Sequence, residues 1–129
     1  MKTGNKRKSN PQLIVGYSVY IALLSQSDSA APTAVVLQNT IGDMLWSRLN
    51  TGTYLCHALN GAQPFTDKTI VMINHLGVNG IDCFGAKTSE EYIYVKSRAV
   101  AANITTGAFE YTETDGLMNG IYVEIRVYN

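Results

Sequence analysis

The stretch Ile121-Tyr122-Val123-Glu124-Ile125-Arg126-Val127-Tyr128 decides the fold class. Its four aliphatic residues fall on every second position, and Tyr122, Glu124, Arg126 and Tyr128 fill the alternate ones. Successive side chains of an extended strand point to opposite faces, so this pattern makes one aliphatic and one polar-aromatic face. A helix would scatter the same aliphatics around its circumference. Working back along the chain, Tyr17, Val19, Ile21 and Leu23 repeat the alternation opposite Ser18, Tyr20 and Ala22. Between these two segments, β-branched and aromatic runs predict strands near 34–40, 44–50, 53–59, 69–75, 81–86 and 92–98.

The punctuation agrees. Ser27-Asp28-Ser29 with Pro32 reads as a loop. Gly42-Asp43, Asn50-Thr51-Gly52, Asn60-Gly61, Gly77–Gly80 and Ser89-Glu90-Glu91 read as turns, and Thr112–Gly120 as a longer polar connection. Turn signals every roughly 8–12 residues mark sandwiches and barrels. The expected fold is all-β: an antiparallel β-sandwich of about eight strands, with jelly-roll connectivity as one option.

The chain has 129 residues, enough for one domain. Its charged fraction is 16%, below the roughly 25% of average globular chains. No window approaches the roughly 20 apolar residues of a helical membrane span, and no membrane role is expected. The formal net charge of zero conceals a split. Lys2, Lys6, Arg7 and Lys8 stand in the first ten residues without an acid, and the remainder carries six bases against ten acids. The layout predicts a basic N-terminal arm over residues 1–12 and a sandwich domain over 13–129. The arm is either a solubilising tail or an anchor for an acidic or assembly surface.

Basic residues, a largely apolar Leu13–Leu24 and Ser29-Ala30-Ala31 together mimic a secretion signal. Tyr17, Ser18 and Tyr20 interrupt the apolar run, and a first strand is the preferred reading. Cys56 and Cys83 are then expected as reduced, buried thiols, with a bridge between them left open.

Catalytic constellations are not evident. His57 follows Cys56 directly, so in a strand the two point apart and do not share a zinc. His75 has no ligand partner at suitable spacing on its own strand. Asp82 beside Cys83 lacks a base, Glu90-Glu91 reads as a solvated turn, and Glu110, Glu113 and Asp115 fit no calcium loop. No enzymatic activity, cofactor or metal is expected. The aromatic residues carry more. Tyr92 and Tyr94 share one face of their strand, as do Tyr122 and Tyr128, and these four are candidate oligomer-interface residues. Ordinary cross-strand packing and sugar stacking are the alternatives. Trp46, on one face with Arg48, is expected in the core or a subunit contact.

Several phrases resemble small virion proteins of tailed phages that infect Bacteroidetes bacteria, crAss-like phages included. They are Tyr17-Ser18-Val19-Tyr20-Ile21-Ala22-Leu23-Leu24-Ser25-Gln26-Ser27, then Ala31-Pro32 followed by Val36-Leu37-Gln38-Asn39-Thr40-Ile41-Gly42. Trp46-Ser47-Arg48, Gly52-Thr53-Tyr54 and the closing Val123-Glu124-Ile125-Arg126-Val127-Tyr128 complete the likeness. It covers both ends of the chain and the stretch from 60 to 118 poorly. It implies a structural role in the virion, as a head fibre or capsid-decorating protein assembled in the host cytoplasm. The expected partners are capsid or auxiliary capsid proteins and copies of the chain itself, three copies being favoured because such fibres are commonly trimeric. The basic arm is longer than the starts found in that group, so anchoring through Lys2, Lys6, Arg7 and Lys8 is inferred from charge alone. The alternative is a tail or fibre-tip module that binds a host carbohydrate or receptor. A nucleic-acid clamp is disfavoured by four basic charges on a neutral chain.

Overall fold

The structure, a computed structural model, describes residues 16–74 and 80–129. The four basic residues of the arm, His75 and most of the Gly77–Gly80 turn lie outside the described residues.

Among the described residues nine strands form: β1 (Tyr17–Ser25), β2 (Thr33–Asn39), β3 (Met44–Asn50), β4 (Thr53–Ala58), β5 (Thr69–Asn74), β6 (Ile81–Lys87), β7 (Tyr92–Ala102), β8 (Phe109–Glu113) and β9 (Ile121–Tyr128). They pair antiparallel into a four-stranded sheet, β2-β1-β9-β5, and a five-stranded sheet, β3-β4-β7-β6 with β8 on β7. Consecutive strands stay together in the hairpins β1–β2, β3–β4, β6–β7 and β7–β8. The chain crosses between sheets at the other four connections, so the connectivity is rich in hairpins rather than that of a jelly roll. Residues 17–24 of the would-be secretion segment lie in β1 and pair with β9.

The face of β9 carrying Ile121, Val123, Ile125 and Val127 is the buried one, as its alternation predicts. Directly opposed residues share a face, and Tyr20, Ala22 and Leu24 stand opposite Ile125, Val123 and Ile121. That register puts Tyr20, Ala22 and Leu24 in the core. Ile21 and Leu23, which follow the same apolar alternation on paper, face outward and are half-buried. Across the core lie Trp46, Tyr54, Cys56, Cys83, Ile93 and Val95 from the other sheet, closed off by Phe65 and Met118 from loops. Each such fully buried large side chain contributes about 1.5–3 kcal/mol. A polar tie crosses the core as well: Trp46 Nε1 donates to the Tyr20 hydroxyl at 3.1 Å.

The 92–98 strand continues to Ala102, and its second half pairs with β8. The polar connection expected over Thr112–Gly120 therefore gives up Thr112 and Glu113 to β8, leaving residues 114–120 as the loop into β9. β4 occupies the first half of the same β7 edge, so β4 and β8 lie end to end beside Ser97. Ser97 N–H donates to Gly52 O at 2.9 Å, and its carbonyl accepts from Thr114 N–H at 3.1 Å.

The two seams of the sandwich differ. At one, β5 packs on β6 so closely that a Cβ on Gly85 would lie 3.1 Å from Val71 Cγ1 and 3.2 Å from Ile73 Cδ1. At the other, β2 and β3 each have one edge left unpaired among the described residues. This open seam carries Val35, Val36, Leu37, Leu45 and Leu49, half of the ten large hydrophobic side chains that are exposed among the described residues.

Candidate functional site

The outer face of the five-stranded sheet gathers aromatic and charged side chains. Ile93 and Val95 point into the core, so Tyr92, Tyr94, Lys96 and Arg98 point outward from β7. Ala86, Phe84 and Asp82 stand opposite Tyr94, Lys96 and Arg98 on β6, and Glu113 stands opposite Arg98 on β8. The result is a continuous stripe. Phe84 meets Tyr94 edge-on at 6.3 Å. The Arg98 guanidinium lies 4.8 Å from the Phe84 ring centre and 4.4 Å from that of Tyr111. Tyr92 meets His57 at 5.4 Å. The charges on this face are matched: Asp82 accepts from Arg98, and Glu113 accepts from Lys96 at 2.8 Å. The Lys96 ammonium holds the Glu113 carboxyl below its ordinary range.

Tyr122 and Tyr128 occupy the outer face of the other sheet. The two tyrosine pairs of the sequence analysis therefore lie on opposite sides of the molecule and do not form one patch. Their surroundings also differ. The Tyr122 hydroxyl and Arg126 Nε both donate to Glu124, and Arg126 Nη1 donates to the Tyr128 hydroxyl at 3.2 Å. Arg126 also lies 4.7 Å from the Tyr17 ring centre. The Tyr122 hydroxyl, with help from Arg126, keeps the Glu124 carboxyl below its ordinary range despite burial. A shallow groove of about 540 Å³ runs beside this network, lined by Tyr17, Val19, Ile21, Gln38, Thr40 and their neighbours.

At the β4–β8 junction sits a polar latch that sequence reasoning missed. Asp115 Oδ2 accepts from Arg48 Nε at 3.1 Å and Nη2 at 2.8 Å. Its Oδ1 accepts from Gly52 N–H at 3.0 Å and the Tyr54 hydroxyl at 2.7 Å. The Arg48 guanidinium holds the Asp115 carboxyl down at about 2. Burial, then the carboxylate itself, pushes the Tyr54 hydroxyl up to about 12. Gln26, also buried, accepts from Gly116 N–H through Oε1, which at 3.0 Å is also the alternative acceptor for the one proton of the Tyr54 hydroxyl, while its Nε2 donates to Asp28 O and Ala30 O. Two loops far apart in sequence are thereby fixed to the end of the sandwich. Asp115 was read as part of an acidic loop because its partners are 61–67 residues away.

Cys56 and Cys83 are free and buried in the core. Burial pushes their thiols up to about 12 and about 11, so neither is a nucleophile at neutral pH. His57 points to the outer face, away from Cys56, and its Nδ1 is buried with no hydrogen-bond partner among the described residues. Among the described residues, no three His, Cys, Asp or Glu side chains come together as a metal site. No helix among them is long and apolar enough to cross a membrane. The arrangement instead offers surfaces: an open seam rich in exposed aliphatic side chains, an aromatic stripe with paired charges, and a loop end tied by hydrogen bonds. Neither a protein-family model, a curated protein nor a solved structure matches this chain.

Proposed function

We propose that the chain is a structural component of a phage particle, a head-fibre or capsid-decorating protein that works as an oligomer. The open seam carries this reading. Val35, Val36 and Leu37 are 64%, 50% and 57% exposed, on an edge strand that contains no charge and no proline. Edge strands of solitary proteins are usually guarded by charge, proline or a covering segment, because bare backbone donors and acceptors recruit another strand. An uncharged apolar strand can meet another copy of the chain without like-charge repulsion, whatever rotation relates the two. The proposed occupant is therefore another copy of this chain, with three sandwiches turning their open seams toward a common axis. The number three rests on the resemblance to head fibres. The basic arm, Lys2, Lys6, Arg7 and Lys8, serves as the tether to an acidic part of the shell, and repeated copies supply avidity.

The test separates the two parts of this reading. Light scattering on the full chain is expected to give a trimer, and deletion of residues 1–10 is expected to leave that trimer intact while abolishing attachment to particles. A monomer at micromolar concentration would overturn the assembly reading, and normal attachment of the truncated protein would overturn the tether.

A further inference from the structure

We propose that the outer face of the five-stranded sheet is a binding platform for a neutral polysaccharide. This inference is independent of the virion reading and concerns the opposite kind of surface from the seam. Its residues are Tyr92, Tyr94, Phe84, Arg98, Tyr111 and Phe109, spread over β6, β7 and β8.

Three observations carry it. First, the stripe is continuous and built on paired strands. Tyr94, Phe84, Arg98 and Tyr111 follow one another at 6.3, 4.8 and 4.4 Å between ring or guanidinium centres. Tyr111 and Phe109 extend it with 53% and 66% of their surface exposed. A sheet holds such rings in place before a ligand arrives, so little ordering entropy is lost on binding. Second, the hydroxyls of Tyr92, Tyr94 and Tyr111 have no hydrogen-bond partner among the described residues, whereas those of Tyr122 and Tyr128 on the other sheet are engaged by Glu124 and Arg126. Donors and acceptors with nothing to bind are available to a ligand. Third, each cation of the stripe already faces a carboxylate, Arg98 with Asp82 and Lys96 with Glu113. A face with matched charges has no electrostatic claim on a phosphate backbone or an anionic glycan.

The chemistry that fits exposed aromatic side chains set beside fixed polar pairs is a sugar. A pyranose presents a C–H face that stacks on an aromatic ring and a rim of hydroxyls that bridges to charged or phenolic groups. Apolar bodies with polar tips, which Tyr provides, suit a surface that is wet at one end and stacked at the other. The paired Arg98–Asp82 and Lys96–Glu113 groups supply donors and acceptors side by side, as a hydroxyl requires.

Affinity electrophoresis of the full chain in gels cast with hydroxyethylcellulose, xylan, mixed-linkage glucan or soluble starch tests the platform. The wild-type chain is expected to be retarded by at least one polymer. Tyr94→Ala and Tyr111→Ala are expected to weaken that retardation at least tenfold in apparent affinity, with oligomer mass and melting temperature unchanged. Ile70→Ala, on the outer face of the other sheet, is expected to leave it intact. Tyr111 and Phe109 are exposed, so Phe109→Ala provides a second variant with no core to disturb. Absence of retardation in all four polymers would overturn the proposal, as would equal retardation of wild type and stripe variants. A change in oligomer mass in the stripe variants would also overturn it, because the face would then belong to a second copy of the chain.

Discussion

Replacing Asp115 with alanine should cost the fold more than any other change to a side chain that keeps contact with solvent. The carboxylate retains only 17% of its side-chain exposure and accepts four hydrogen bonds, two from Arg48 and one each from Gly52 and Tyr54. Hydrogen bonds to a charged group are worth about 1.5–3 kcal/mol net, and a donor left without a partner adds a desolvation cost. Tyr54 can turn its hydroxyl to Gln26 Oε1 at 3.0 Å, and Arg48 keeps Thr51 Oγ1 at 3.2 Å, so only part of the network is orphaned. Solvent at the loop screens the ion pair further. The expected loss is about 2–4 kcal/mol, from a total that for domains of this kind is about 5–15 kcal/mol. At roughly 3–5 °C per kcal/mol for this chain length, the melting temperature should fall by about 6–20 °C.

The pH dependence gives that prediction a second arm. Asp115 titrates at about 2 in the fold against an ordinary 3.8. A depressed carboxylate contributes stability above its unfolded value and loses it as pH falls through the folded one. The shift corresponds to at most about 2.4 kcal/mol, and screening reduces this to about 1–2 kcal/mol. Urea unfolding of wild type and Asp115→Ala at pH 7 and at pH 2 should therefore show a gap that narrows in acid. In a double-mutant cycle, Arg48→Met and Asp115→Ala should be less than additive. A variant within about 0.5 kcal/mol of wild type at pH 7, or a gap of equal size at both pH values, would refute the latch.

Other consequences are simpler to read. Gly52→Ala should destabilise severely, because Gly52 has φ +71° and a Cβ there would lie 2.7 Å from both Ser97 O and Thr114 N; a melting temperature close to wild type would show that the β4–β8 junction is loose. Trp46→Phe should lose about 1–3 kcal/mol, since the Tyr20 hydroxyl would forfeit its donor in the core; calorimetry checks this. The two thiols should react with a disulfide reagent only on global unfolding, being buried with raised thiol values; fast labelling in native buffer would contradict their placement. Val36→Lys puts a charge in the middle of the exposed edge strand and should abolish the proposed oligomer, leaving a folded monomer, as light scattering and circular dichroism together will report.

The fold was legible where one face of a strand is fully buried. The aliphatic alternation of β9 and the Ile93/Val95 positions of β7 survive in the structure because burial enforces the period of two. β8 was missed because all five of its residues are exposed, so Phe109-Glu110-Tyr111-Thr112-Glu113 carries no core signal and is held to β7 by backbone pairing and by the surface contacts of Tyr111 and Glu113. The alternation of β1 pointed to Tyr17-Val19-Ile21-Leu23 as the apolar face, but the core takes Tyr20-Ala22-Leu24, because both sets are apolar and only the register against β9 chooses between them. Phe65 and Met118 were missed because they plug the core from loops, where no periodicity marks them. The candidate surfaces were partly legible: Tyr92 and Tyr94 do share an outer face, yet their continuation through Phe84, Arg98 and Tyr111 depends on cross-strand pairing that no local pattern encodes.

Whether the protein is carried on a phage particle at all is the question on which the proposed function turns. Immunogold labelling of intact, purified particles, with the free protein washed away, answers it most directly. The account predicts label at fixed sites on the head, lost from particles assembled with the chain lacking residues 1–10. Particles that carry no label, with the protein wholly in the soluble fraction of the lysate, would contradict it.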